Sequence, residues 1–224
     1  MQLEQVKPYL NYEFSSEQEL VKSIEEMSFN FTRNREKIND YLKDPRLCAA
    51  YVCFYLLTNM PKLKAALNLI RFNEDELSDF DIYDFGAGPG TFSLALLEIN
   101  KNLEIKAIEK SPVMIKQGES LVRGLFPGSS FEYINTIPKI KTKSRLGIFG
   151  HSANEMGESI TLDYISRYDL DAILFLEPGT KQSFSILVII PPFLVPGLTV
   201  TPSLKVLLFP IINSDFSPEN FKAP

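Results

Sequence analysis

Three glycines set two apart, in Asp84-Phe85-Gly86-Ala87-Gly88-Pro89-Gly90, are the residues whose types and spacing point most directly to chemistry. Glycine lets a backbone turn tightly and approach a ligand closely. A helix starting just beyond such a turn offers free N–H groups and the positive end of a dipole. In the dinucleotide fingerprint G-x-G-x-x-G the third glycine falls where this chain has Thr91, and Gly90 comes one residue early. A second feature is Glu109, 19 residues after Gly90 and directly behind the apolar run 103–108. An acidic side chain at about that separation accepts from ribose hydroxyls in doubly wound folds. Asp84, Gly86, Ala87, Gly88, Gly90, Glu109 and its neighbour Lys110 are therefore the candidate ligand-binding residues. The alternative is a tight left-handed turn beside an exposed strand-end glutamate.

These residues need a strand before the turn and a helix after it. Phe80 to Tyr83 reads as a buried strand, and Phe92, Ala95, Leu96 and Ile99 share one helical face. Further strands are expected at 104–109, 131–135, 145–150 and 171–177, with helices from Pro112 to about Gly124 and from Ser159 to Tyr168. Short strands alternating with helices imply a parallel sheet covered on both faces, an α/β Rossmann-like doubly wound fold. Ligands in such sheets sit outside the carboxyl ends of the strands. Those ends carry Asp84, Glu109, Asn135, His151 and Glu177. His151 is the only histidine. A lone histidine is more often a hydrogen-bonded structural residue, so His151 is a weak catalytic candidate.

Residues 1–75 read as a helical extension. Ser15 or Ser16 with Glu19 resembles a capping box ahead of Leu20, Ile24 and Met27, and Asp44-Pro45 starts a helix that should be buried over 47–57. Asn59-Met60-Pro61 is expected to interrupt it before a restart at Lys62 with Leu63, Ala66, Leu67 and Ile70 on one face. The core spans 76–184, and 185–224 is an atypical proline-rich apolar tail, interrupted too often to span a membrane although Leu204 to Ile212 suits a strand.

The 224 residues are 45% hydrophobic and 23% charged with a net charge of −5, a soluble globular balance that argues against a general nucleic-acid coat. The one basic cluster alternates Lys139, Lys141, Lys143 and Arg145 along an extended segment. It reads as a charged edge in preference to a phosphate-tracking strip. Cys48 and Cys53 sit in one apolar helical segment and suit core thiols, not a disulfide or metal site. Met1 to Leu20 resembles neither a secretory signal nor a transit peptide, which leaves the cytoplasm as the default compartment, or the mitochondrion in a eukaryote.

The glycine spacing suits S-adenosylmethionine, which has no pyrophosphate to cradle. The stretches Asp84 to Thr91, Glu109-Lys110-Ser111-Pro112-Val113-Met114, Asn154-Glu155 and Leu176-Glu177-Pro178-Gly179-Thr180 resemble the Rsm family of methyltransferase-like proteins associated with the small ribosomal subunit, within the class I S-adenosylmethionine-dependent methyltransferases. The resemblance covers roughly 40–185. It implies S-adenosyl-L-methionine with Gly86, Gly88 and Gly90 around its methionine portion, Asp84 acting through the turn and Glu109 on the ribose. It also implies the small ribosomal subunit or its rRNA as partner, through methylation or as a non-catalytic assembly factor. A nicotinamide-dependent oxidoreductase is a weaker alternative.

Two features narrow the chemistry. The Asp/Asn-Pro-Pro-aromatic motif expected after the fourth strand for exocyclic amino methylation is replaced by His151-Ser152-Ala153-Asn154, and neither cysteine lies in the expected pocket. Beyond Thr180 the resemblance ends. The family's cysteine-rich stretch, thought to hold an iron-sulfur cluster, has no counterpart here, since no cysteine follows Cys53. The tail reads as a frame-shifted, alternatively spliced or truncated terminus that leaves the sheet without its last strands and with an open apolar edge.

Overall fold

The computed structural model describes residues 1–33, 43–69, 72, 74–178 and 205–211. The chain begins with α1 (Leu3–Val6) and a 3-10 turn, Lys7–Tyr9, followed by α2 (Glu17–Thr32). The cap of α2 is shared between two serines. Ser16 Oγ accepts from Glu19 N at 3.2 Å, while the Glu19 carboxylate accepts from Ser15 N and Oγ at 2.8 and 2.7 Å. Helix α3 (Pro45–Tyr51) starts where Asp44 caps it, Oδ1 accepting from Arg46 N at 2.8 Å.

The expected break at Asn59-Met60-Pro61 is absent. A π-type turn, Val52–Leu56, leads directly into α4 (Leu57–Leu69), which carries Pro61 inside it. A proline inside a helix costs ~3 kcal/mol. Leu56, Met60, Leu63 and Leu67 are all buried against the sheet, and each buried apolar side chain of this size contributes about 1.5–3 kcal/mol. Packing therefore outweighs the lost bond, and the wider π turn absorbs the local misfit. Ile70, expected on the same face, lies outside the described residues.

After α5 (Glu74–Ser78) the alternation starts. β1 (Phe80–Phe85) is followed by α6 (Thr91–Ile99), β2 (Ile105–Ile108), α7 (Pro112–Leu125), β3 (Phe131–Tyr133), β4 (Ser144–Gly150), α8 (Ala153–Met156), α9 (Glu158–Arg167), β5 (Ala172–Pro178) and β6 (Lys205–Ile211). The order is β3-β2-β1-β4-β5-β6 and every pairing is parallel. The fold is α/β, doubly wound and Rossmann-like, with a helical N-terminal extension, as expected.

The stretch Leu204 to Ile212, which suits a strand, supplies one in β6, but the open edge expected of the tail is absent beside β5. β6 pairs with β5 from Ala172↔Lys205 to Pro178↔Ile211, so β5 is flanked on both sides instead of forming an open edge. Pro210 is tolerated because β6 pairs on one side only among the described residues. The remainder of 179–224, including Gly179 and Thr180, lies outside the described residues.

Strand periodicity divides the core. Ile82, Leu146, Ile148, Leu174 and Leu176 face the helical extension and α6, so extension and sheet share one apolar cluster. Phe85, Phe149 and Phe175 face the other way and stack across three strands, with centroids 4.8 and 5.0 Å apart, beneath Ile165 and Tyr164 of α9. The order reverses between β1 and β4, which places the ligand crevice at their carboxyl ends. Among the described residues, no helix is long and apolar enough to cross a membrane.

Candidate functional site

The turn after β1 has the left-handed backbone that its glycines allow, with φ of 66° at Gly86, 56° at Gly88 and 84° at Gly90. A side chain at Gly86 would also bring its Cβ to 2.6 Å from Ser152 Cβ. The turn's own amides are engaged within the protein. Gly86 N and Ala87 N donate to Ile108 O at 2.8 and 3.2 Å, Gly90 N donates to Ala87 O at 2.9 Å, and Gly88 N donates to Glu109 Oε2 at 3.0 Å. What the turn offers a ligand is close approach.

Glu109 is correspondingly occupied. Its Oε1 accepts from Lys110 N and Ser111 N, both at 2.8 Å, and its Oε2 holds Gly88. A carboxylate has about four acceptor positions, so Glu109 retains room for about one ligand hydroxyl. The Lys110 side chain is exposed at the rim.

Asp84 is buried beneath the turn. Its Oδ2 accepts from Ser93 N at 3.1 Å and from Ser93 Oγ at 2.7 Å, pinning the start of α6 to the end of β1. Burial pushes its carboxyl up to about 6, against the pull of the Ser93 hydrogen bonds. Asp84 shapes the turn and does not face the crevice.

Beyond β4, His151 has a φ of 58°, rare outside glycine. Its N–H donates to Leu176 O at 2.8 Å, and its ring stacks on Phe92 with centroids 6.0 Å apart. Its Nε2 is buried with no hydrogen-bond partner among the described residues, as is Ser152 Oγ. Burial, with a smaller contribution from the Lys62 ammonium, pushes the imidazole down to about 4, so it is neutral at physiological pH. Glu177, buried at the end of β5, accepts from Ala153 N at 2.8 Å and fixes the turn after His151. Asn135 is exposed past the end of β3.

No protein-family model matches the chain, and no curated protein matches its sequence. Solved structures resemble it in shape. An O-methyltransferase family protein from Burkholderia thailandensis is 12% identical, with a TM-score of 0.49, covering 72% of this chain and 51% of that one. The chain thus spans about half the length of that protein. The SAH-bound methyltransferase PaMTH1 from Podospora anserina is 19% identical, with a TM-score of 0.39, covering 87% of this chain and 75% of that one. Likenesses this distant carry no argument about chemistry.

Two residues that matter to the turn are not evident from motif spacing. Ser93 is the partner of Asp84, and Tyr133 Oη donates to Gly88 O at 2.9 Å. With Glu109 on its N–H and Tyr133 on its carbonyl, Gly88 is held from both sides. Burial pushes the Tyr133 hydroxyl well above its ordinary value, so it stays a donor. The signal for Tyr133 is Gly118 inside α7, where a Cβ would overlap the phenol oxygen. Tyr133→Phe should lower stability by about 1–2 kcal/mol by stranding the Gly88 carbonyl. Hydrogen exchange at the Gly88 amide should accelerate with it, and an unchanged rate would show that the phenol does not hold the turn.

The cysteines are free thiols. Cys48 Sγ lies 3.3 Å from Met114 Sδ, and burial pushes its thiol up to about 12. Three of the four residues of the basic cluster are internally engaged, and Lys139 is exposed. Lys141 pairs with Asp171 at 2.7 Å and with Asp169 at 3.1 Å, and Lys143 lies 3.4 Å from Glu104. Arg145 is buried and donates to the carbonyls of Tyr168, Pro138 and Ile140. The charged-edge reading fails, because Arg145 is buried on β4, a strand paired on both sides by β1 and β5, while Lys141 and Lys143 pair with acids around it.

Proposed function

We propose that the chain binds S-adenosyl-L-methionine at the glycine turn and serves methyl transfer on the small ribosomal subunit or its rRNA. The observation that carries the first half is the internal use of the turn's amides, with Gly86, Ala87, Gly88 and Gly90 all donating within the protein. A pyrophosphate is held by such amides when they point outward. A ligand without phosphates needs only the close approach that Cβ-free residues permit. When bound, S-adenosyl-L-methionine supplies a methyl group already activated by its sulfonium. The protein then has to position the acceptor in line and exclude water. Glu109 would take one ribose hydroxyl with its remaining lone pair, Gly86 and Gly88 would flank the methionine portion, and Asp84 would hold the turn through Ser93. The ribosomal half is supported by the sequence resemblance alone.

A second reading draws on the sheet. The all-parallel order β3-β2-β1-β4-β5-β6 is the order of dinucleotide-binding domains. Against a nicotinamide cofactor stand Thr91 in the third glycine's place and the turn's engaged amides.

Isothermal titration of the folded chain with S-adenosyl-L-methionine and, in parallel, NADH tests both. The expected result is micromolar binding of the first, weakened at least tenfold by Glu109→Ala, and none of the second. A folded chain that binds neither leaves the non-catalytic assembly role. NADH binding alone would reverse the assignment.

A further inference from the structure

Both partners that hold Gly88 rest on α7. Tyr133 Oη, which donates to the Gly88 carbonyl at 2.9 Å, stands where a Cβ on Gly118 would be. Glu109, which accepts from Gly88 N, also accepts at 2.8 Å from the N–H of Ser111, the N-cap of α7. The N-terminal strap, residues 7–11, grips the same helix. The buried Gln117 uses both ends of its carboxamide there, Nε2 donating to Tyr9 O and Oε1 accepting from Asn11 N, each at 2.9 Å. Ser120 Oγ also donates to Tyr9 O, at 2.8 Å. The Tyr9 ring lies on Gly124, where a Cβ would overlap it. Glycine is a poor helix former, so α7 carries two weak points, and each makes room for a tyrosine. Its position depends on those contacts. The strap is anchored beyond both ends, by the buried Val6 and by the bond from Tyr12 Oη to Glu19 of α2, while Lys7, Pro8 and Asn11 are exposed. A segment with so few buried apolar contacts opens locally far more easily than the sheet.

We propose that residues 7–11 are a latch on the glycine turn. Docked on α7, they hold Tyr133 and Glu109 against Gly88; released, they loosen both. Release takes from α7 the hydrogen bonds to Tyr9 O and Asn11 N together with the Tyr9 ring. The helix then settles away from Tyr133, and the phenol loses the support that aims it at the Gly88 carbonyl. The first turn of α7 moves with it, and Ser111 draws on the Glu109 carboxylate that holds the Gly88 amide. Gly88 carries the turn's left-handed backbone, with a φ of 56°, between those two partners. Coupling of this kind is reciprocal. A ligand that fixes the turn favours the docked strap, and a docked strap favours the ligand. The identity of that ligand as S-adenosyl-L-methionine rests on the reading proposed above, whereas the link from strap to turn stands without it.

Amide hydrogen exchange, read residue by residue on the full-length chain, tests the link without any ligand. Gly124→Ala favours the helix itself but removes the seat of the Tyr9 ring. The Asn11 amide, held by Gln117, should then exchange about tenfold faster, and the Gly88 amide should accelerate with it, while Ile148 in the middle of the sheet stays unchanged. In a Tyr133→Phe background, where one arm of the link is already cut, Gly124→Ala should accelerate Gly88 by no more than about threefold. Gln117→Met combined with Ser120→Ala releases the strap through its polar contacts and should reproduce the pattern even where the Tyr9 ring can swing aside. Saturating S-adenosyl-L-methionine should slow Asn11 exchange about tenfold in the native protein. If Gly88 follows the strap but S-adenosyl-L-methionine does not bind, the latch is upheld and the methyl-donor reading is removed. Faster exchange at Asn11 with Gly88 unchanged would show a strap that is merely packed on the fold, and would overturn the proposal. So would an acceleration shared equally by Ile148, an Asn11 amide that neither variant releases, or a bound ligand that leaves Asn11 exchange unchanged.

Discussion

Replacing Gly150 with alanine should destabilise the protein by about 3 kcal/mol, at the upper end of the usual cost of overpacking. The Cβ of such an alanine would overlap the ring of Phe92. Phe92 is buried in the first turn of α6, between the glycine turn and the His151 ring that it stacks against. Phe92 belongs with Leu94, Ala95 and Leu96 to the buried core shared with α4, so the ring cannot swing out to solvent. The strain must therefore displace α6 or the end of β4, and either movement disturbs the glycine turn. Urea unfolding of Gly150→Ala, Phe92→Leu and the double variant measures the collision directly. The double variant should be more stable than the sum of the two single losses predicts, by at least 1 kcal/mol, about the coupling expected of residues in contact. Additive losses would mean that Gly150 is not there to make room for Phe92.

This collision also shows what kind of information the sequence held. Each strand of the sheet lies within a few residues of where apolar runs and turn residues put it, because a half-buried strand must alternate and a parallel one must be apolar throughout. The three glycines were legible as a turn because only glycine takes positive φ without strain, and Asp44-Pro45 as a helix start because both signals are local. What was not legible depends on partners far along the chain. Whether Pro61 breaks its helix is decided by how much apolar surface of α4 the sheet buries. That Glu109 spends most of its acceptor capacity on Gly88, Lys110 and Ser111 follows from the register of β2 against β1. Tyr133 and Ser93 hold the turn through contacts that no fixed spacing encodes. The pairing of residues 205–211 with β5 needs an entire sheet edge as context. The position of His151 at a strand end was evident. Its burial was not, because the group that helps to depress it, Lys62, comes from the helical extension.

Two buried ionisable groups beside the crevice should give opposite pH dependences that nearly cancel in the native protein. Asp84 is raised from its ordinary 3.8 to about 6 and His151 lowered from 6.5 to about 4. A raised carboxyl binds its proton more tightly in the folded chain. Its contribution to stability is therefore fully present below 3.8 and is lost as pH rises through 6. A depressed imidazole does the reverse, its contribution being present above 6.5 and lost as pH falls through 4. At about 1.4 kcal/mol per unit each slope amounts to roughly 3 kcal/mol, and the two oppose each other across the same window. Removing either unmasks the other. Asp84→Asn keeps an acceptor for Ser93 and should be more stable than the native protein at pH 7. Relative to the native protein it should then lose roughly 3 kcal/mol as pH falls from about 6 to 4, because only the imidazole slope remains. His151→Gln should gain a similar amount relative to the native protein between about 6.5 and 4. The remaining carboxylates contribute alike to all three proteins, so the differences between urea-unfolding curves isolate the pair. Parallel curves for the native protein and Asp84→Asn would mean that the Ser93 hydrogen bonds fully offset the burial of Asp84, leaving the turn anchored by an ordinary ionised carboxylate.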